Sequence, residues 1–133
     1  PYGNVEPLAD WCKLAICAGA TFVARHTVLQ PRPAIKSIKK AIQNNGFSYI
    51  DLMIPCPTYW GRYALKTHDP VKVMKWIKKH TNNEKSDHNV RTGILHERER
   101  IEYTELKMME AEAAKKERTI EELIIDKEDK TIK

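Results

Sequence analysis

Residues 47–58 run Phe-Ser-Tyr-Ile-Asp-Leu-Met-Ile-Pro-Cys-Pro-Thr, and the architecture can be worked out from this segment. Residues 47–54 are almost continuously apolar or β-forming, which is how a strand covered on both faces reads. Before them, Ala34, Ile35, Ile38, Ala41 and Ile42 form an apolar stripe at helical spacing, opposite Lys36, Lys39 and Lys40. Gln30-Pro31-Arg32-Pro33 reads as the link into that helix and Asn45-Gly46 as its end. Further upstream, residues 21–25 (Thr-Phe-Val-Ala-Arg) read as a short strand. The helix before it places Leu8, Trp11, Cys12, Ala15 and Ile16 on one face, with Pro7 in its first turn and Gly19 at a left-handed C-terminal position. Helix–strand–helix–strand with short links predicts an α/β domain, a parallel sheet with flanking helices.

Downstream, Asp69-Pro70 suits a helix start, with Asp as cap and Pro at the first position. Val73, Trp76, Ile77 and His80 are expected to face inward from that helix, and Lys72, Lys75, Lys78 and Lys79 to cover the rest. Residues 81–89 are polar and read as a loop; residues 90–96 read as a short strand. From Glu97 the composition turns to Glu, Lys, Arg, Ala and Met, with no Gly or Pro after Gly93, which predicts a helical extension. Thr119 and Glu122 form a possible capping box for a second short helix. The expected organisation is an α/β region over 1–96 and a charged helical extension over 97–133.

The 133 residues are 41% apolar and 31% charged, enough for one domain with a modest core. No apolar run approaches the roughly 18 residues of a membrane span, and the opening residues lack the pattern of a signal peptide. The expectation is a cytoplasmic chain with no membrane partner. The net charge of +5 is uneven: residues 1–80 carry 12 Lys/Arg against 4 Asp/Glu, and residues 81–133 carry 11 against 14. A basic first region suits an acidic protein, a phosphorylated ligand or nucleic acid.

Three cysteines form no paired framework. Cys56 lies between two prolines just after the predicted strand 47–54, at the end of a parallel strand where ligands gather in open α/β sheets. A stiff, non-helical segment suits a fixed thiolate ligand or nucleophile; a small buried thiol at a strand end is the plainer alternative. Cys12 and Cys17, five residues apart on a helix, point about 140° away from each other and are expected in the core. His26, His68, His80, His88 and His96 have no metal-site spacing and read as structural or solvated. The glutamates near Glu110, Glu112, Glu121 and Glu122 read as helix surface. Tyr59 and Trp60 beside Arg62 could stack on bases or wall a pocket. No phosphate-loop, dinucleotide or nucleophile-elbow motif is present in the sequence.

Three segments together resemble one family. They are Tyr2-Gly3-Asn4-Val5-Glu6-Pro7 with Leu14-Ala15; Ala18-Gly19-Ala20-Thr21-Phe22-Val23-Ala24-Arg25; and Ile38-Lys39-Lys40-Ala41-Ile42 through Asn45-Gly46-Phe47-Ser48-Tyr49-Ile50-Asp51 into Pro55-Cys56-Pro57-Thr58-Tyr59. In order and spacing they are similar to the later part of the thiamine-diphosphate-binding β subunit of 2-oxoacid:ferredoxin oxidoreductases. Gly61-Arg62, the helix over 70–79, Thr92-Gly93-Ile94-Leu95 and Glu102-Tyr103-Thr104 are closest to 2-oxoglutarate-type members, so the likeness covers residues 1 to about 105.

The resemblance implies the C-terminal part of a doubly wound α/β fold with a mostly parallel sheet, and a family reaction. In that reaction a 2-oxoacid is oxidatively decarboxylated, the acyl group passes to coenzyme A, and two electrons go to ferredoxin. Thiamine diphosphate with Mg²⁺ and a 4Fe-4S cluster are the implied cofactors. An α subunit and ferredoxin are the implied partners, with further small subunits an open alternative and nucleic acid not expected. By resemblance the fourth cluster cysteine is Cys56, while Cys12 and Cys17 match no ligand position. The family's Gly-Asp-Gly…Asn motif and its three early cysteines would precede Pro1. The expectation is therefore a C-terminal piece that is inactive alone. Two rivals remain at this stage: a small basic binding module, and an α/β domain that has kept the fold but lost the chemistry.

Overall fold

The computed structural model describes residues 9–82 and 89–116, the side chain of Lys116 excepted. Two compact units divide between Arg98 and Glu99.

In the first unit, α1 (Trp11–Cys17) begins at Asp10, whose carboxylate accepts from the backbone N–H groups of Cys12 and Lys13. Two of the helix's orphan donors are satisfied this way. Pro7, the expected first turn, lies outside the described residues. The helix closes before Gly19, whose φ of 90° is the left-handed value expected there. Chain direction then reverses into β1 (Phe22–Thr27), followed by α2 (Pro31–Gln43) and β2 (Ser48–Met53). β1 and β2 are parallel, with Phe22 opposite Ser48 and Thr27 opposite Met53.

The two helices lie on opposite faces of this pair. Val23 and Tyr49 pack with Cys12 and Ala15 of α1. On the other face His26 Nε2 meets Ser37 Oγ of α2 at 2.8 Å, and Ser48 Oγ donates to the Ala41 carbonyl. That is the double winding expected from the sequence. The turn from α2 into β2 closes through Gly46, where φ is 114° and a Cβ would lie 2.7 Å from Thr21 Oγ1. Only glycine fits there.

Four expectations change. The strand covered on both faces is β1, in which Phe22, Val23 and Ala24 are fully buried; β2 is only half-buried. The reason is position: the order is β2-β1-β5, so β1 is central and β2 is an edge among the described residues. Second, the parallel sheet read from the helix–strand order is mixed, in keeping with the mostly parallel sheet that the resemblance implies, because β5 (Gly93–Glu97) runs antiparallel to β1. Third, α2 starts at Pro31, within the expected link; a proline needs no donor in a first helical turn. Fourth, its apolar stripe is largely uncovered. Ala34 and Ser37 face the sheet, while Ile35, Ile38 and Ile42 are exposed, Ile42 to 80%.

After β2 the chain makes a single π-type turn (Pro57–Gly61) and a short helix, α3 (Arg62–Ala64). α4 (Pro70–His80) is capped by Asp69, whose Oδ1 accepts from Val71 N at 2.8 Å, as its sequence predicts. Val73 and Ile77 are buried from α4, and Lys72, Lys75, Lys78 and Lys79 are exposed. The expected strand over 90–96 is split. β4 (Val90–Arg91) pairs in parallel with β3 (Thr81–Asn82), a pairing that takes two residues from the expected loop. Gly93, at φ 101°, then lets the chain turn into β5.

The second unit holds α5 (Tyr103–Lys116). Glu102 caps it, accepting from the backbone N–H of Thr104 at 2.7 Å and from that of Glu105 at 3.3 Å. Met109 and Ala113 are buried and pack with Ile101. The second helix expected from Thr119 lies outside the described residues.

Candidate functional site

Cys56 sits where β2 ends and the π-type turn begins. Pro57, with its fixed φ, sets the first position of the turn, and the Gly61 N–H reaches back to the Cys56 carbonyl at 2.9 Å. This wide turn brings successive backbone N–H groups under the sulfur. Tyr59 N–H donates to Cys56 Sγ at 3.3 Å, and the N–H groups of Trp60 and Thr58 also favour the ionised form. Together they lower the Cys56 pKa below the ordinary thiol value, since fixed donors stabilise a thiolate. The thiol is exposed, so the alternative of a small buried thiol does not hold.

The turn leans on α4. Trp60 meets Trp76 edge to face, 4.9 Å between centroids, and Trp76 stacks on His80 at 4.0 Å. His80 Nδ1 lies 2.8 Å from the Trp76 carbonyl; a carbonyl only accepts, so Nδ1 carries a proton and donates. These rings, with Met53, Ile54, Pro55, Ile77, Thr81 and Val90, line a largely apolar cavity of about 360 Å³, which Cys56 itself does not line. Trp60 therefore walls a pocket, one of the two roles open to it from sequence.

A second cavity, of about 320 Å³, lies at the carboxyl end of β1 between Thr27, Leu29, Gln30, Lys78 and Thr81. It faces the start of α2, but Pro31 and Pro33 have no N–H and Ala34 N–H is spent on the Gln30 carbonyl. Of the first-turn donors this leaves the Arg32 N–H, a single group where the usual backbone cradle for an anion uses several.

Sequence reasoning missed a partly buried ionic cluster on the α1 face. Arg25 of β1 donates through Nη2 to Asp10 at 2.6 Å and through Nε to Asp51 of β2 at 2.7 Å. Cys12 Sγ lies 3.8 Å from the same Asp51 carboxylate. Burial pushes the Cys12 thiol up to about 11, so it stays protonated at neutral pH. Burial opposes ionisation of Asp10, but the Arg25 hydrogen bond and charge outweigh it and hold the carboxyl below its usual range. The cluster ties the cap of α1 to both parallel strands and is structural. The available signal was register: Arg25 and Asp51 are charges at core-facing positions of neighbouring strands, directly opposite each other.

Cys12 is in the core as expected, but Cys17, at the end of α1, is exposed, a correction that follows from its turn of about 140° away from Cys12. His26 is buried, not solvated. Among the described residues no group of three His, Cys, Asp or Glu could hold a metal ion, so Cys56 stands as a single candidate ligand. No described helix is long and apolar enough to cross a membrane.

No protein-family model matches the chain. Among curated proteins it is 46% identical over 87 residues to a 2-oxoglutarate synthase subunit KorB of Methanocaldococcus jannaschii, covering 64% of this chain and 32% of that one. It is 47% identical over 75 residues to the KorB subunit of Archaeoglobus fulgidus, covering 56% of this chain and 27% of that one. A pyruvate synthase subunit PorB of Methanosarcina barkeri is 33% identical over 72 residues, 54% of this chain and 24% of that one. The chain thus spans about a third or less of the length of these relatives. Among solved structures, the fold matches a 2-oxoglutarate:ferredoxin oxidoreductase from Magnetococcus marinus, determined with 2-oxoglutarate, coenzyme A and succinyl-CoA bound. The TM-score is 0.60 at 18% identity, over 90% of this chain and 43% of that one. The likeness read from the sequence therefore holds, and over its matched residues this chain is related to part of the β subunit of 2-oxoacid:ferredoxin oxidoreductases, of the 2-oxoglutarate type.

Proposed function

We propose that this chain contributes to the β subunit of a 2-oxoacid:ferredoxin oxidoreductase acting on 2-oxoglutarate, and that Cys56 supplies one thiolate to a 4Fe-4S cluster. The observation that carries the second part is the exposed Cys56 sulfur at the end of β2, with the Tyr59 N–H 3.3 Å away. A cluster ligand must be a thiolate, must be reachable, and gains from nearby N–H dipoles that offset its negative charge. Cys56 meets all three conditions; Cys12, buried and protonated, fails the first two.

One thiolate is what the described residues offer, so the other cluster ligands come from elsewhere in the subunit. The same holds for the residues that bind thiamine diphosphate and Mg²⁺. Residues 1–96 then belong to the thiamine-diphosphate-binding domain, and the charged stretch over 97–133, which includes α5, is an extension of it. When bound, thiamine diphosphate supplies the carbanion chemistry of decarboxylation. The acyl group goes to coenzyme A and the electrons go to ferredoxin. The assembly is cytoplasmic and includes an α subunit.

The lysine face of α4 suits the acidic electron acceptor. Lys72, Lys75, Lys78 and Lys79 are exposed, and none pairs with a described carboxylate. Charge reversal at Lys75 and Lys79 in the assembled enzyme should slow ferredoxin reduction, most at low salt, and leave reduction of a small viologen dye unchanged. Equal ferredoxin rates would remove this docking role. The 133-residue chain alone, given thiamine diphosphate, coenzyme A and 2-oxoglutarate, should not reduce the dye; reduction by the chain alone would overturn the shared-site reading.

A further inference from the structure

We propose that Gly61 is a positioning residue for the Cys56 sulfur, because the absence of its side chain lets the Cys56 turn seat against Val73 of α4. The proposal rests on the reading of Cys56 as a ligand and adds what holds it in place. Gly61 has φ −58° and ψ −43°, ordinary helical values. Its backbone needs no glycine, and alanine would be the better helix former. The requirement is space. A Cβ at Gly61 would lie 2.9 Å from Val73 Cγ2 and 3.0 Å from the Thr67 carbonyl oxygen, closer than packed atoms sit.

Neither neighbour yields easily. Val73 is fully buried, in the first turns of a helix fixed by the Asp69 cap. The Thr67 carbonyl belongs to the backbone just beyond α3, where the Thr67 N–H is itself bonded to the Gly61 carbonyl at 3.0 Å. A side chain at 61 must therefore lift the turn away from α4. The Gly61 N–H closes that turn on the Cys56 carbonyl, and the intervening N–H groups are those that face the sulfur. Lifting the turn pulls the donors off the sulfur. Trp60, held edge-on by Trp76, is the second point of attachment, so the turn is clamped at two successive residues.

The test is the pH profile of alkylation at each cysteine, read by peptide mass spectrometry on the iron-free 133-residue chain with iodoacetamide. Buried Cys12 reports whether the fold is intact, and exposed Cys17 reports general reactivity. In Gly61→Ala, the Cys56 midpoint should rise, while Cys12 stays protected and Cys17 is unchanged. A higher midpoint leaves less thiolate at pH 7, so the Cys56 alkylation rate there should fall, the greater nucleophilicity of the more basic thiol returning only part of the loss. Gly61→Ala/Val73→Ala removes the closer of the two contacts, leaving the Thr67 carbonyl at 3.0 Å, and should bring the midpoint part of the way back toward that of the parent.

An unchanged Cys56 midpoint in a Gly61→Ala chain with protected Cys12 would overturn the proposal. So would a raised midpoint that Val73→Ala fails to lower. Should the single variant unprotect Cys12, the double variant decides: recovery of both Cys12 protection and the Cys56 midpoint supports the proposal, and a chain that stays unprotected refutes it. The assay uses no iron, so its failure is distinct from failure of the cluster assignment, which is read from metal content.

Discussion

Replacing Arg25 with Met should be among the costliest changes away from the apolar core. Methionine keeps most of the apolar stem and deletes the guanidinium. In the native chain that group, 11% exposed, donates at 2.6 Å to Asp10 and at 2.7 Å to Asp51. Breaking a fully buried ion pair by removing one partner costs about 3–5 kcal/mol. Here the carboxylates left behind are 33% and 25% exposed and recover part of their hydration, which brings the expected loss to about 2–3 kcal/mol. With a urea m-value of about 1–1.5 kcal/mol/M for a chain of this size, the unfolding midpoint should fall by about 2 M. Asp51→Asn alone should cost less, because Arg25 keeps Asp10. The double variant should show a coupling of about 1 kcal/mol or more between Arg25 and Asp51. A midpoint shift under about 0.4 M for Arg25→Met, or additive single and double variants, would refute the claim that this cluster ties α1 to the sheet.

Burial lowers the pKa of His26, although the Gln30 side chain works against that. The unfolded state therefore binds a proton near pH 6.5 that the folded state does not. Stability should be fully present above that pH and decline as pH drops below it, levelling off only past the folded pKa. His26→Gln should flatten urea midpoints measured between pH 7.5 and 5.5, and parallel slopes in parent and variant would refute the assignment. Phe22→Ala, in the fully buried central strand, should cost about 3–5 kcal/mol, while Ile42→Ser on the uncovered face of α2 should stay within about 0.5 kcal/mol. Equal losses in a denaturant series would mean that the α2 stripe is covered after all.

Much of the fold was legible because local signals and topology agree. Asp69-Pro70 marked the start of α4, Gly19 and Gly46 marked reversals that need positive φ, and the β1–α2–β2 order gave parallel pairing. What failed depended on neighbours. The apolar run over 47–54 reads as doubly covered, yet β2 is half-buried, because no described strand pairs with its outer edge. Ile35, Ile38 and Ile42 form a clean stripe at helical spacing, but the packed line on α2 runs through Ala34 and Ser37, where small side chains let the helix approach the sheet. Periodicity places an apolar face on a helix and does not say which element covers it.

At the site, the prolines around Cys56 signalled a fixed segment, and the resemblance picked out this cysteine from three. The wide turn that directs N–H groups at the sulfur was not legible, since π-type turns have no sequence pattern as sharp as a capping box. The role of Gly61 was hidden for a related reason: its backbone is helical, and only the position of Val73 shows why a side chain is excluded. Arg25 read as the end of a strand, and its two carboxylate partners lie 15 and 26 residues away in sequence.

The most direct test of the account is iron content and 400-nm cluster absorption of the assembled enzyme containing this chain, compared among parent, Cys56→Ser and Cys17→Ser. The account predicts that Cys56→Ser loses iron and absorption together while Cys17→Ser, at a thiol that is also exposed, keeps both. Undiminished iron and absorption in Cys56→Ser would contradict it and return Cys56 to the standing of a reactive surface thiol.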